Sequence, residues 1–225
     1  MPSSHFLQVN EILELIIETD PCKLLDIGIG FGKFGFLSRE YLELWGEDHA
    51  YGDWRRQIDG IEAFDPYITA VQKSIYDHIY KGNALDVLPC LSGKYDLVLL
   101  IDVLEHFTYE EGLKVIEECR RISNNILIAV PEYMNPQEAV FGNQFEIHKY
   151  PWTKKDFRNI PDKFFLTVPR SLICFIGDKS RPVEQAVRKR IRKQRVKDLL
   201  DLVGLRKPVS ELRRFLKSKP GHSRN

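Results

Sequence analysis

The sequence lacks several features that mark whole classes of protein. Its longest strongly apolar run, Leu97 to Leu104, is broken by Asp102 and is far shorter than the roughly 20 residues that a membrane-spanning helix needs. The opening segment, MPSSHFLQVNEILE, has neither a basic leader nor an unbroken apolar stretch. No secretory signal is therefore expected there, and the cytoplasm is the expected location. Cysteine is sparse: Cys22, Cys90, Cys119 and Cys174 are scattered with no CxxC pair. That spacing argues against a zinc knuckle or redox pair and predicts buried, reduced thiols. No internal repeat is visible.

What remains is a globular composition. The 225 residues are 43% apolar and 29% charged, enough to bury a core without disulfides or metal staples. The formal net charge of +1 conceals a division along the chain. Residues 179–225 hold 16 Lys/Arg against 4 Asp/Glu, net +12, and residues 1–178 hold 17 against 28, net −11. An acidic domain over residues 1–178 and a basic helical extension over 179–225 are expected.

Hydrophobic periodicity divides the first part into alternating strands and helices. Val9, Ile12, Leu13, Ile16 and Ile17 recur at helical spacing after the candidate caps Ser3 and Ser4, and Pro21 closes that helix. Strands are predicted at Lys23 to Ile27, Ile58 to Ala63, His78 to Lys81, Tyr95 to Ile101 and Asn125 to Val130. Helices are predicted from Phe34 to Trp45, Pro66 to Ser74 and Tyr109 to Ile122. The segment 46–57 reads as a surface insertion. Strands separated by helices make a parallel sheet covered on both faces. Phe164 to Val168 and Ser171 to Ile176 are separated only by Pro169 and Arg170, so they must form an antiparallel hairpin. The expected fold is therefore α/β: a seven-stranded, mostly parallel sheet with helices on both faces, closed by that hairpin. Pro182 to Val203 has a helical pattern, and a shorter helix is predicted from Ser210 to Leu216.

The chemistry concentrates after the first strand, at Asp26-Ile-Gly28-Ile-Gly30-Phe-Gly32. Glycines there let the backbone turn sharply and admit a ligand against main-chain N–H groups. Residues 30–35 also satisfy the dinucleotide pattern GxGxxG. Two features oppose a nicotinamide cofactor: the carboxylate Asp26 before the first glycine and the closing hairpin. The DxGxGxG run resembles the first motif of the class I S-adenosylmethionine (SAM)-dependent methyltransferases. The resemblance extends over residues 23–178, through GIEAFDP, the GNA of residues 82–84, YDLVLLIDVLEHF and the hairpin.

That resemblance implies SAM as cofactor. Asp26 would attract its amino-acid part, Gly28, Gly30 and Gly32 would admit it, and Glu62 would accept from both ribose hydroxyls. Glu62 follows Gly32 by 30 residues, against a usual interval of about 20, and the insertion supplies the excess. Ala63 and Phe64 would pack on adenine, beside Asn83 and Ala84. Asn83 stands where the family usually has Asp; it either meets the adenine amino group or serves as a turn residue beside Gly82.

Asp102, Glu105 and His106 lie beyond the fourth strand, at the carboxyl edge where open α/β sheets bind ligands. Asp102 is assigned to the cofactor. The DVLEH segment is similar to the LEH segment of small-molecule and sugar O-methyltransferases. His106 is then a general base or a residue holding the loop by a backbone hydrogen bond, and His148 is the second catalytic candidate. D-x-x-E-H with a distant HKYPWTKKDF is also similar to the metal-binding pattern of small-RNA 2′-O-methyltransferases, although those carry Glu where Asp102 stands. That pattern implies a divalent cation on Asp102, Glu105, His106 and His148. The Asp/Asn-Pro-Pro-aromatic motif of amino-group DNA methyltransferases is absent, and Ile101-Asp-Val-Leu stands there. The expected reaction is methyl transfer to oxygen in a small molecule, sugar or lipid-linked precursor. RNA 2′-O-methylation and a non-catalytic SAM-binding module are the alternatives. The basic extension binds RNA, lies on an anionic membrane surface, or packs on the body or a second subunit.

Overall fold

The computed structural model describes residues 5–44, 52–133 and 136–202. The candidate caps Ser3 and Ser4, Trp45, half of the insertion (residues 46–51) and the helix predicted at Ser210 to Leu216 lie outside them. Seven strands form one sheet: β1 (Lys23–Ile27), β2 (Gln57–Glu62), β3 (His78–Lys81), β4 (Leu97–Ile101), β5 (Asn125–Pro131), β6 (Lys163–Val168) and β7 (Ser171–Gly177). Their spatial order is β3-β2-β1-β4-β5-β7-β6. The first five run parallel, and β7 enters antiparallel between β5 and β6. Val168 pairs with Ser171 across Pro169-Arg170. Proline presets the first turn residue, and Arg170 takes a positive φ of 70° in the second.

Every residue of β4 (LVLLI) is buried, as a central parallel strand covered on both faces requires. One face packs Leu25, Ile27, Val98, Leu100, Ile126 and Ile128 against Val115, Ile116, Cys119 and Ile122 of helix α5. The helices in chain order are α1 (Val9–Thr19), α2 (Lys33–Arg39), α3 (Ala70–Ile75), α4 (Ala84–Val87), α5 (Tyr109–Ile122) and α6 (Ser180–Leu202). Helix α1 packs on α2, and α2 on α3, while α4 packs on α5. Thr108 and Glu111 form a reciprocal cap at the start of α5, and Arg120 and Arg121 occupy its last turn, both favourable toward the helix dipole.

Several boundaries differ from expectation for local reasons. The predicted Pro66 to Ser74 helix is two pieces, a 3₁₀ turn Asp65–Tyr67 and then α3, because Thr69 and Gln72 form a capping box that starts a new helix. Tyr95 stands outside β4 and makes a single parallel bridge to Ser123. His5 caps the first turn, through Nδ1 accepting from Leu7 N–H. Cys119 and Cys174 are buried, but Cys22 and Cys90 are exposed, so the expectation of four buried thiols holds for two.

The chain divides into two compact units, Met1–Glu184 and Gln185–Asn225, against the expected boundary after residue 178. Of the predicted apolar stripe in α6, Val183 and Val187 are buried, Ile191 is half-buried, and Leu199 and Leu202 are exposed; Val203 lies outside the described residues. Among the described residues no helix is long and apolar enough to cross a membrane.

Candidate functional site

Five residues, Gly28 to Gly32, turn the chain from β1 into α2. Gly28 has φ 72°, and a Cβ there would fall 2.7 Å from Val103 Cγ2, so both backbone conformation and the next strand's loop require glycine. The turn is pinned from two sides. Gly28 N–H and Ile29 N–H donate to Ile61 O of β2, and Gln72 Nε2 of α3 donates to Gly30 O at 2.7 Å.

Asp26 is buried, and its Oδ2 accepts from Tyr76 Oη at 2.6 Å. Burial pushes its carboxyl up to about 7; the Tyr76 bond opposes the rise, the nearby Glu62 charge adds to it, and Gly35 N–H opposes it. Tyr76 reaches Asp26 because Gly35 leaves room: a Cβ there would meet the Tyr76 ring at 2.3 Å. The last glycine of the GxGxxG pattern thus serves side-chain packing. Glu62 is buried at the end of β2, where Oε2 accepts from Gly30 N–H and Oε1 from Phe64 N–H, both at 2.9 Å. Burial raises its pKa, and the two backbone donors oppose the rise. Nearby acids are otherwise engaged. Asp59 accepts from Tyr95 Oη at 2.8 Å, and Asp65 is paired with Lys81.

Asn83 caps α4 by accepting from Leu85 N–H at 3.0 Å, the turn role foreseen as its second reading. Phe64 is not among the cavity-lining residues and packs edge-on against Tyr67, with ring centroids 4.9 Å apart. Ala63 and Ala84 do line the cavity. Gly32 does not; it takes a left-handed φ of 84° at the start of α2.

At the end of β4, Asp102 has a positive φ of 54°, and its Oδ2 accepts from Gln8 Nε2 at 2.7 Å. The 3₁₀ turn Leu104–His106 follows. Glu105, His106 and His148 each bring one potential ligand atom into a group no more than 4.8 Å across. Asp102 is not part of it, so the expected four-residue set converges at three. The segment carrying His148 is fastened to the turn by backbone bonds. Lys149 N–H donates to Glu105 O at 2.7 Å, and Trp152 Nε1–H donates to Leu104 O at 2.9 Å. His106 Nδ1 lies 3.3 Å from Ile147 O. The carbonyl can only accept, so this bond places a proton on Nδ1, and the ring makes a second backbone hydrogen bond with Asp102. Burial pushes the His106 pKa down to about 4, so the ring is neutral at pH 7. Glu105 is pushed well up by burial and then by the Asp102 charge, and its Oε2 is buried with no hydrogen-bond partner among the described residues.

These groups share one cavity of about 890 Å³. Asp26, Gly28, Gly30, Glu62, Ala63, Asn83, Ala84, Asp102, His106 and His148, all expected from sequence, line it. So do Gln8, Lys33 and Glu146, which sequence reasoning missed because nothing local distinguishes them. Six acidic side chains, those of Asp26, Glu62, Asp102, Glu105, Glu111 and Glu146, line the cavity, beside Lys33, Lys149 and Arg170.

Comparison with solved structures supports the same architecture. The chain aligns with an O-methyltransferase family protein from Burkholderia thailandensis at a TM-score of 0.54, with 16% identity, over 76% of this chain and 55% of that one. The fold is that of the class I methyltransferases. A SAM-dependent methyltransferase from Archaeoglobus fulgidus shares this methyltransferase fold at a TM-score of 0.52 and 15% identity, over 75% of this chain and 92% of that one. In sequence, an uncharacterized protein of Methanocaldococcus jannaschii is 27% identical over 157 residues, 68% of this chain and 60% of that protein. The chain thus spans little more than half the length of the Burkholderia and Methanocaldococcus proteins. No protein-family model matches it. On the methyltransferase fold, the glycine turn, Glu62 and the Glu105-His106-His148 group all fall at the carboxyl edge of the parallel strands, where open α/β sheets bind their ligands.

Proposed function

We propose that the protein is a SAM-dependent methyltransferase acting on a hydroxyl oxygen, with Glu105, His106 and His148 forming the acceptor end of its site. The observation that carries this reading is the convergence of those three side chains in the same acidic cavity as the glycine turn and Glu62. The cavity's carboxylates suit a sulfonium cation. Glu62, already held by two backbone donors, keeps lone pairs for the ribose hydroxyls. Positioning supplies most of the acceleration, because the sulfonium is a good leaving group and needs only an aligned nucleophile. SAM held there would supply the methyl group, and His106 or His148 would accept the proton that the acceptor hydroxyl gives up as its oxygen takes the methyl from sulfur.

The same three residues fit a divalent cation. One buried carboxylate oxygen has no donor among the described residues, one imidazole is neutral at pH 7, and a second histidine lies beside it, ring centroids 5.1 Å apart. A cation bound there supplies Lewis acidity that lowers the pKa of the acceptor hydroxyl. The chain's own part is to fix the ligands: Ile147 O orients His106, and Trp152 and Lys149 tie the His148 segment to the Leu104–His106 turn.

The acceptor classes in view are a small molecule, a sugar or a lipid-linked precursor. A second reading, a ribose hydroxyl of RNA, is favoured by the rim. Phe31 and Tyr133 line the cavity at 70% and 75% exposure, and Lys33, Lys149 and Arg170 line it as well, a mixture that can stack bases and neutralise phosphates.

Calorimetry tests the cofactor. S-adenosylhomocysteine should bind at micromolar concentration, about −8 kcal/mol, and binding of NADH without it overturns the assignment. The cation is tested by adding Co²⁺ to the intact chain and reading its visible absorption. A spectrum of nitrogen-ligated Co²⁺ that is lost in His148→Ala supports the site; an unchanged spectrum in that variant rejects it.

A further inference from the structure

Gln8 closes the 3₁₀ turn Phe6–Gln8 ahead of α1; it is only 1% exposed, yet it lines the cavity. Its Nε2 donates to Asp102 Oδ2 at 2.7 Å. A carboxylate can only accept, so this bond decides which way the amide faces. The NH₂ group is turned to Asp102, and Oε1 is the other, acceptor end. Oε1 is buried and has no donor among the described residues. Native folds rarely leave such an atom without a partner, and those that remain mark a ligand, an ion or an ordered water.

The surroundings select among these. Asp102 brings a negative charge to the same spot, and the Lys33 ammonium that interacts with it also lines the cavity. A group that can only accept, such as a carboxylate or phosphate, gains nothing from an amide oxygen and is repelled by Asp102. A neutral donor satisfies Oε1 but gains nothing from the neighbouring carboxylate. An ammonium group does both: one N–H for the amide oxygen, and a positive charge beside the carboxylate. Asp26, the residue that the glycine motif offers for this task, already accepts from Tyr76 Oη and Gly35 N–H.

We propose that Gln8 binds the α-ammonium group of the cofactor's amino-acid end, its Oε1 accepting from the ammonium while Asp102 supplies the charge. The proposal rests on the SAM reading above and deepens it. It makes the turn before α1 part of the cofactor site, and it makes the site selective for a cofactor with a free amino group.

The test compares S-adenosylhomocysteine with 5′-methylthioadenosine, which lacks the amino-acid part, by calorimetry on the full chain. In Gln8→Ala, affinity for S-adenosylhomocysteine should fall at least tenfold while affinity for methylthioadenosine stays within twofold. An equal loss for both ligands, or no loss for either, overturns the proposal. A second measurement needs no variant. On the unaltered protein, the S-adenosylhomocysteine analogue with hydrogen in place of the α-amino group should bind at least tenfold more weakly than the parent; equal affinity overturns the proposal. If the unaltered protein binds neither S-adenosylhomocysteine nor methylthioadenosine, the SAM reading itself fails, which is a distinct result.

Discussion

Gly112→Ala is a substitution whose ordinary effect and structural effect have opposite signs. Gly112 lies inside α5, where alanine in place of glycine normally stabilises by about 1 kcal/mol. Here a Cβ would fall 2.2 Å from Trp152 Cζ2, with two further ring atoms at 3.1 and 3.2 Å. The ring has little freedom to withdraw, because Tyr109, Tyr150 and Phe157 surround it at centroid distances of 5.6, 5.4 and 5.4 Å. Overpacking of this kind costs about 1–3 kcal/mol. A shift that parts Trp152 Nε1–H from Leu104 O leaves a buried donor unsatisfied, at about 1–3 kcal/mol more. Less the helix gain, the net loss is about 1–5 kcal/mol. A loss near 3 kcal/mol lowers the melting temperature by roughly 6–12 °C in a domain of this size. Because Trp152 holds the Leu104–His106 turn, methyl transfer should fall further than stability alone explains, measured well below the melting transition. Thermal unfolding of the two proteins side by side decides it: a higher melting temperature for the alanine variant refutes the wedge and leaves Gly112 as an ordinary helix glycine.

Asp26 makes stability depend on pH with an unusual sign for a carboxylate. Its pKa rises from 3.8 to about 7 on folding, chiefly through burial, so the folded protein holds a proton that the unfolded chain has released between those values. Its contribution is full below about pH 4 and is lost as pH rises through about 7, at most about 4 kcal/mol. Asp26→Asn should therefore gain stability relative to the unaltered protein on going from pH 5 to pH 8; parallel melting curves at both pH values would contradict this. Glu62→Gln places an NH₂ group against one of two backbone donors, Gly30 N–H or Phe64 N–H. S-adenosylhomocysteine should then bind at least tenfold more weakly, about 1.4 kcal/mol by calorimetry, and an unchanged affinity would remove Glu62 from the ribose site.

Local sequence was sufficient wherever the information is a period or a short spacing. The run LVLLI has no polar face to offer, so it had to be a central strand. Two residues between Val168 and Ser171 allow nothing but a hairpin. The glycine turn announces a close ligand approach, because glycine is the residue that a left-handed backbone conformation favours there. Tertiary structure decided which distant side chains meet. Tyr76 reaches Asp26 across 50 positions of sequence and Gln8 reaches Asp102 across 94, contacts set by strand order and by the gap left at Gly35. His148 joins Glu105 and His106 while Asp102 does not, because Gln8 holds Asp102 and the main chain fastens residues 147–152 to the Leu104–His106 turn. Periodicity tells which face of an element is apolar, but it carries no record of what another element places against that face, and the charges and orphaned polar atoms of this cavity arise from that placement.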